Sequence, residues 1–137
     1  MEINTPDKKY RTTDNLVYSC QYHVIFCPKF RRSVLVDGID IRLKELLVEK
    51  QKEYGYVIIE LEIMPDHVHL LLDANPQIGI ISIIAKIKRY ASSTLRKEFP
   101  ILKRKLPCLW TRHKFISTVG VVSLNTVKQY IIDQKGK

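Results

Sequence analysis

The sequence has few cysteines, few glycines and no long apolar run. Its three cysteines, Cys20, Cys27 and Cys108, form no Cys-x-x-Cys pair, which favours three reduced thiols over a disulfide framework. No apolar stretch approaches the roughly 20 residues of a membrane-spanning helix, and the N-terminal residues lack the apolar centre of a signal peptide. We therefore expect a cytoplasmic protein with no membrane partner.

Acidic side chains are almost absent between residues 86 and 114. Over that range Glu98 is the single acid beside ten lysines and arginines, in a chain whose formal net charge is +9. Cations clustered in this way favour a polyanionic partner, and nucleic acid is the usual one. A solvated, solubilising surface is the alternative, but clustering favours nucleic acid over it.

The remaining pattern alternates strands and helices within one domain, residues 1–137. A chain of this length is long enough to bury a core. After a loose lead-in at residues 1–13, the predicted elements are, in chain order, a strand at 16–27, a helix at 40–54, strands at 57–64 and 67–73, a helix at 75–99, a strand at 113–119, and a last helix within 121–137 that Ser123 caps. This order predicts a ferredoxin-like α+β sandwich, with an antiparallel sheet and helices on one face.

Residues that start or stop helices set the predicted boundaries. Asp40 is suited to cap the first helix, and Gly55 is suited to end it. Asn75 followed by Pro76 predicts the start of the second long helix, and Pro100 forbids its extension.

The strands at 57–64 and 67–73 are expected to form a hairpin around a Pro65-Asp66 turn. Alternation along the first of them predicts two faces, with Ile59, Leu61 and Ile63 on one and Ile58, Glu60 and Glu62 on the other.

His67 and His69 flank a single apolar residue at the start of the strand at 67–73. Successive side chains of a strand alternate between faces, so the two imidazoles point the same way while Val68 and Leu70 point into a core. Two imidazoles side by side make a seat for a divalent metal ion. Taken alone, this spacing is equally compatible with a structural role.

Tyr130 and Gln134 lie four residues apart on the predicted last helix and so share one face. A tyrosine hydroxyl can attack a phosphodiester, but its pKa of about 10 means that it needs a nearby cation. The side-chain oxygen of Gln134 suits the third ligand of a metal held by two imidazoles. Such a neutral ligand set suits Mg²⁺ or Mn²⁺ better than structural Zn²⁺.

Several segments together carry a resemblance to a known family. They are YSCQYHVIFCPKFRR at 18–32, MPDHVHLL at 64–71, LWT at 109–111 with FISTVG at 115–120, and VKQYIIDQ at 127–134. With these motifs in this order, the sequence resembles the single-tyrosine transposases of the insertion sequence 200/605 family, within the HUH (His-hydrophobe-His) nuclease superfamily. The resemblance covers residues 17–134, and the combination is highly specific, whereas His-x-His alone is weak evidence.

The resemblance implies an RRM-like HUH nuclease fold with a C-terminal helix that carries the tyrosine. Enzymes of this family excise and insert DNA as single strands without ATP. By transfer, His67, His69 and Gln134 bind Mg²⁺ or Mn²⁺. Tyr130 attacks the DNA to form a 5′-phosphotyrosine and releases a 3′-hydroxyl, which later attacks a second phosphotyrosine to rejoin strands.

The resemblance also implies a homodimer with composite active sites. The helix carrying Tyr130 would dock on the partner subunit, with Gly120 as the hinge. The DNA would be single-stranded with hairpin ends. Its phosphates would be contacted by the helix predicted at 75–99, which carries much of the basic stretch. The predicted contacts are Lys86, Lys88, Arg89, Ser92, Ser93 and Arg96, while Arg31 and Arg32 either touch DNA or lie in an exposed loop, and Tyr90 and Trp110 either stack on bases or pack in the core.

More ordinary roles are open to the other polar residues near the motif. His23 and His113 are left out of the site, because a lone histidine is more often packed or hydrogen-bonded than a ligand. Asp66 is expected to form the turn rather than to orient an imidazole. Glu62 faces the metal in only one register of the hairpin.

Three functions remain open at this point. The first is an active transposase, and the second is a domesticated relative that cuts single-stranded DNA at repeats. The third is a nucleic-acid-binding protein without catalysis. The histidine pair together with the tyrosine and glutamine favours an enzyme, because binding alone requires no tyrosine beside a metal.

Overall fold

The computed structural model describes residues 10–13 and 15–120. Within these ranges the strands are β1 (Arg11–Thr13), β2 (Leu16–Tyr18), β3 (Gln21–Phe26), β4 (Tyr56–Met64), β5 (His67–Ala74) and β6 (Phe115–Thr118), and the α-helices are α1 (Ile39–Glu49), α2 (Gln51–Tyr54), α3 (Ile80–Glu98) and α4 (Ile101–Lys105). The predicted last helix, with Ser123, Tyr130 and Gln134, lies outside the described residues.

Four strands form the main sheet in the order β4–β5–β3–β6, and every neighbouring pair is antiparallel. Apolar side chains of β3 and β5, such as Phe26 and Leu70, are buried in one cluster with those of the helices, such as Leu43 of α1 and Ile87 of α3. The helices therefore pack on one face of the sheet, and the predicted ferredoxin-like α+β fold is confirmed. None of the described helices is long and apolar enough to cross a membrane.

The buried face of α3 follows the apolar stripe that the sequence predicts. Ile84, Ile87, Ala91 and Leu95 are buried, and Ile80 is partly buried against the same core. These positions recur every three or four residues, as one face of a helix requires. Packing of this stripe directs the basic side of α3 away from the core.

Helix α3 begins at Ile80 rather than at Asn75. Asn75 instead organises a turn, in which its side-chain oxygen accepts a hydrogen bond from the amide of Gln77 and its carbonyl accepts one from the amide of Gly79, each at 2.9 Å. Gly79 has a φ of 91°, a conformation open to glycine without steric strain. At the other end the helix stops before Pro100, as predicted.

A bulge in β4 changes which side chains reach the core. The pairing with β5 shifts register between Ile58 and Glu60. As a result Ile58 packs against the core together with Leu61 and Ile63. The predicted grouping of Ile59 with Leu61 and Ile63 is wrong, because an extra residue in one strand interrupts its alternation.

The N-terminal half of the structure differs from the sequence prediction in two ways. The predicted strand at 16–27 is two strands, and the first of them, β2, pairs with Arg11–Thr13 in a separate hairpin. Part of the predicted lead-in is therefore ordered strand. The first predicted helix begins after Gly38 and continues as α1 and α2, so Asp40 lies inside it, and Gly55 ends it with a φ of 84°.

An ion pair attaches this N-terminal hairpin to the main sheet. Asp73 of β5 is fully buried. Its Oδ2 accepts a hydrogen bond from Nε of Arg11 at 3.0 Å, and its Oδ1 accepts one from the amide of Cys20 at 2.8 Å. A buried carboxylate is tolerated when it is paired and hydrogen-bonded in this way.

Asp73→Ala should lower the free energy of unfolding by roughly 3 kcal/mol, because it removes the carboxylate that a buried ion pair depends on. Urea unfolding of the full chain measures the loss. Glu45→Ala is the control, since Glu45 is an exposed partner of Arg42 and such pairs are worth at most about 1 kcal/mol. Equal losses in the two variants would contradict a structural role for the Asp73 pair.

Candidate functional site

His67 and His69 lie on the face of the main sheet opposite α1 and α3, here called the open face. Both belong to β5, whose Val68 and Leu70 are fully buried against the helices. Because side chains alternate along a strand, the two imidazoles project from the open face. The predicted placement of the histidine pair on one face is therefore confirmed.

Asp66, in the turn before β5, connects His67 to the loop after β3. Its Oδ1 lies 2.9 Å from Nδ1 of His67, and its Oδ2 accepts a hydrogen bond from Nε of Arg31 at 3.1 Å. The hydrogen bond with His67, and with it the positive charge of Arg31, holds the pKa of the Asp66 carboxyl below its usual range. Asp66 thus contacts a site residue in addition to forming the turn that the sequence predicts.

His23 of β3 lies against His69, although sequence reasoning leaves it out of the site. Nδ1 of His23 is 3.1 Å from Nε2 of His69, and the two rings stack with centroids 5.2 Å apart. Ile25 is the residue directly opposite His69, so His23 is its diagonal neighbour on the open face. The alternation of His23 with the buried Val24 is the sequence signal that places it on that face.

The hairpin register places Glu62 beside the histidine pair. Glu62 lies directly opposite His69 across the β4–β5 pairing. Glu60, Glu62 and His69 line a shallow depression that is open to solvent. The open question of the Glu62 register is thereby answered, and its carboxylate belongs to the open face.

The donor atoms on the open face are suitable ligands for a divalent cation, but they do not form a complete set of ligands by themselves. Neutral imidazole is a common metal ligand, and the contact of His67 Nδ1 with Asp66 leaves Nε2 of that ring available. No group of three or more histidine, cysteine, aspartate or glutamate side chains within residues 10–13 and 15–120 is arranged to hold a metal ion. The predicted third ligand, Gln134, and the nucleophile, Tyr130, lie outside these ranges.

Some of the side chains on α3 that are predicted to contact DNA are exposed, and others are partly buried or hydrogen-bonded within the protein. Arg89 and Ser93 are exposed, whereas Lys86 and Ser92 are half-buried. Nζ of Lys88 donates a hydrogen bond to the carbonyl of Thr111 at 2.8 Å, and burial lowers the pKa of this ammonium group. The described surface therefore presents Arg89 to a phosphate more readily than Lys88.

Arg96 and Trp110 hold the loop after α4 against α3. The guanidinium of Arg96 donates to the carbonyl of Leu106 at 3.1 Å. Nε1 of Trp110 donates to the carbonyl of Lys88 at 3.0 Å, and its ring packs on Phe26. Trp110 is buried, which corresponds to the packing role rather than the stacking role that the sequence left open.

The other aromatic candidate, Tyr90, also has protein partners. Its hydroxyl donates a hydrogen bond to Oε2 of Glu49 at 3.0 Å, and the ammonium group of Lys50 lies 4.5 Å from its ring centroid. These contacts connect α3 to α1. The ring on which a base would stack is already in contact with Lys50.

The loop after β3 and the end of β6 carry the remaining candidates. Arg31 and Arg32 are both exposed, and Arg31 in addition contacts Asp66. A Cβ added at Gly120 would meet no heavy atom of residues 10–13 and 15–120 within 4 Å, so packing against this part of the chain does not require glycine there. The hinge role of Gly120 stays a prediction.

The chain belongs to a family of transposases. The family model described as "Transposase IS200 like" matches residues 16–134. That range contains the histidine pair, Asp66 and Arg31, and it extends to the positions of Tyr130 and Gln134. The resemblance drawn from the sequence motifs is confirmed.

Individual relatives agree with this assignment. The ISDra2 transposase TnpA of Deinococcus radiodurans is 37% identical over 123 residues, which are 88% of each chain. The transposase for insertion sequence element IS200 of Salmonella typhimurium is 33% identical over 106 residues, which are 75% of this chain and 69% of that one.

Two solved structures share the fold. The crystal structure of a Deinococcus radiodurans protein assigned as a transposase has a TM-score of 0.71 at 34% identity, and the match covers 90% of this chain and 97% of that one. A REP-associated tyrosine transposase bound to a REP hairpin has a TM-score of 0.56 at 12% identity, with coverage of 88% and 68%. The second likeness concerns the fold alone.

The contacts of Asp66 predict a pH dependence at acid pH. Because its folded pKa is lowered, its stabilising contribution is present above the unfolded pKa and is lost as the pH falls through the folded pKa. Carboxyl ¹³C NMR should report a pKa below about 3.9, the ordinary aspartate value. His67→Ala should raise this pKa more than Arg31→Ala, since the hydrogen bond with His67 is the larger cause. A pKa at or above the ordinary value would contradict these contacts.

Proposed function

We propose that this transposase cleaves and rejoins single-stranded DNA at the ends of an insertion sequence, through a covalent 5′-phosphotyrosine on Tyr130. The observation that carries the proposal is the pair of imidazoles on the open face, His67 and His69, with Asp66 against the first. The family match, which extends across the position of Tyr130, supports the choice of nucleophile.

His67, His69 and Gln134 are the residues proposed to hold a divalent ion, Mg²⁺ or Mn²⁺. When bound, the ion supplies Lewis-acid polarisation of the scissile phosphate. Three neutral protein ligands leave coordination positions for water and phosphate oxygens, as Mg²⁺ sites commonly do. Glu62, opposite His69, adds a negative charge beside the set.

Tyr130 is the proposed attacking group. Its hydroxyl oxygen forms a bond to phosphorus and loses its proton, while the bond from phosphorus to the 3′ oxygen breaks and that oxygen leaves as a 3′-hydroxyl. In the second step a 3′-hydroxyl attacks a phosphotyrosine and releases the tyrosine. Each step exchanges one phosphodiester for another, which explains why no external energy source is required.

The proposed DNA partner has hairpins near its ends. A fold relative is a tyrosine transposase bound to a REP hairpin, and the basic exposed surface of this chain supports the same class of ligand. We place the phosphate contacts on the exposed side chains of α3 and of the loop after β3, chiefly Arg89, Ser93 and Arg32. A homodimer in which the Tyr130 segment reaches the partner subunit, with Gly120 as hinge, completes the proposal.

Tyr130→Phe should abolish the covalent protein–DNA adduct while hairpin binding persists, because the change removes one hydroxyl. The measurement is a denaturing gel of the full chain with labelled single-stranded DNA from the flanks of its gene, with Mg²⁺ or Mn²⁺. His67→Ala and a chelator should each remove the same band. An adduct that survives in Tyr130→Phe would overturn the assignment of the nucleophile. Tight binding by the wild-type chain without any adduct would favour a protein that only binds nucleic acid.

Arg89→Ala should weaken hairpin binding and reduce the slope of log affinity against log salt by about 1, as loss of one phosphate contact does. Lys88→Met is the matched neighbour, and it should leave that slope unchanged because its ammonium group is engaged by Thr111. Fluorescence anisotropy at several salt concentrations measures both. A slope in Arg89→Ala that matches the wild type would place the DNA elsewhere than on the exposed side of α3.

A further inference from the structure

We infer that Arg31 and Asp66 are positioning residues that fix the imidazole of His67 with Nε2 directed to the metal. The inference rests on the proposed function, because it assigns a purpose to a metal ligand. It gives Arg31 a role inside the site, in place of the DNA contact that its position in a basic segment suggests.

The contact between Asp66 and His67 selects one form of the neutral imidazole. Oδ1 of Asp66 lies 2.9 Å from Nδ1 of His67. An ionised carboxylate only accepts hydrogen bonds, so the proton belongs on Nδ1. Nε2 is then the nitrogen with a free lone pair, and a carboxylate behind a metal-binding histidine is the usual way to fix its tautomer and orientation.

Arg31 prevents the Asp66 carboxylate from turning away. Both Asp66 and His67 are about one-third exposed, so a carboxylate held at a single oxygen would be free to rotate into water. Nε of Arg31 donates a hydrogen bond to the second oxygen, Oδ2, at 3.1 Å. The two carboxylate oxygens are therefore used by different partners, and the plane of the group is set.

The backbone conformation of the loop after β3 places Arg31 beside Asp66. Phe30 and Arg31 have φ values of 59° and 53°, a left-handed conformation that is uncommon for residues other than glycine. The loop is anchored on both sides, since the amide of Lys29 donates to the carbonyl of Leu109 at 2.7 Å and the amide of Leu35 donates to the carbonyl of Pro65 at 3.0 Å. Such strain persists where the surroundings fix it, and it concentrates at functional sites.

Arg32 provides a matched control for the alternative role of Arg31. It is the next residue in the chain and is exposed. If Arg31 binds phosphate, Arg31→Ala and Arg32→Ala should act alike on DNA affinity and neither should affect His67. If Arg31 positions His67, only Arg31→Ala should change the imidazole in protein that holds no DNA.

Long-range ¹H–¹⁵N NMR of the histidine side chains tests the inference directly, in full-length chain without metal or DNA. We expect His67 to carry its proton on Nδ1 in the wild type and in Arg32→Ala. Arg31→Ala should mix the two tautomers, and Asp66→Ala should mix them further. Asp66→Asn should preserve the wild-type tautomer, because its carbonyl oxygen still accepts from Nδ1. Backbone spectra check that each variant is folded.

Binding of Mn²⁺, followed by electron paramagnetic resonance without DNA, gives a second readout. Asp66→Ala should weaken binding by about 10- to 100-fold, the usual cost of losing an outer partner of a ligand, and Arg31→Ala should weaken it less. Arg32→Ala should leave Mn²⁺ affinity unchanged.

The results separate this inference from the proposed function. A tautomer that stays the same in Asp66→Ala and Arg31→Ala overturns the inference, even when the wild-type chain forms the Tyr130 adduct. A shifted tautomer supports it, and the absence of an adduct in the wild type would then reject the catalytic proposal alone.

Discussion

The position of the candidate site depends on the burial of one face of β5. Val68, Leu70 and Leu72 fill the core beneath the helices, and each such side chain contributes about 1.5–3 kcal/mol. A slip of one residue would expose all three and bury His67 and His69, because strand side chains alternate. The hydrophobic core therefore fixes the direction of the two imidazoles, at a free energy no hydrogen bond within the site could match.

The same antiparallel pairing explains why the loop after β3 reaches the histidines. Phe26, the last residue of β3, pairs with Val68 near the start of β5, so the chain leaves β3 beside the turn from which β5 begins. Leu35 then bonds to the backbone of that turn. Arg31 lies within a segment held on both sides, which makes its reach to Asp66 a consequence of strand order rather than of a flexible side chain.

Local periodicity was sufficient for the histidine pair, for the stripe of α3 and for the succession along the chain of the main-sheet strands and the long helices. It failed wherever the outcome depends on a partner distant in sequence. The contact of His23 with His69 requires knowing that β3 and β5 are neighbours and in what register. The bulge after Ile58 changes pairing without changing composition, so alternation misassigned Ile59. Asp66 follows Pro65 in a dipeptide that is typical of turns, and its contact with Arg31 becomes visible only in the folded structure.

The basic stretch illustrates the same difference between composition and position. Net charge counts every cation equally, yet a partly buried charged or polar group requires a partner. Lys88 and Arg96 satisfy backbone carbonyls of the loop that follows α4, so their charge is used to hold that loop on α3. Arg89, between them in sequence, faces outward. Part of the positive charge therefore holds this loop in place and part lies on exposed side chains. All of it contributes to the attraction of DNA, but the exposed side chains are the ones free to contact phosphates directly.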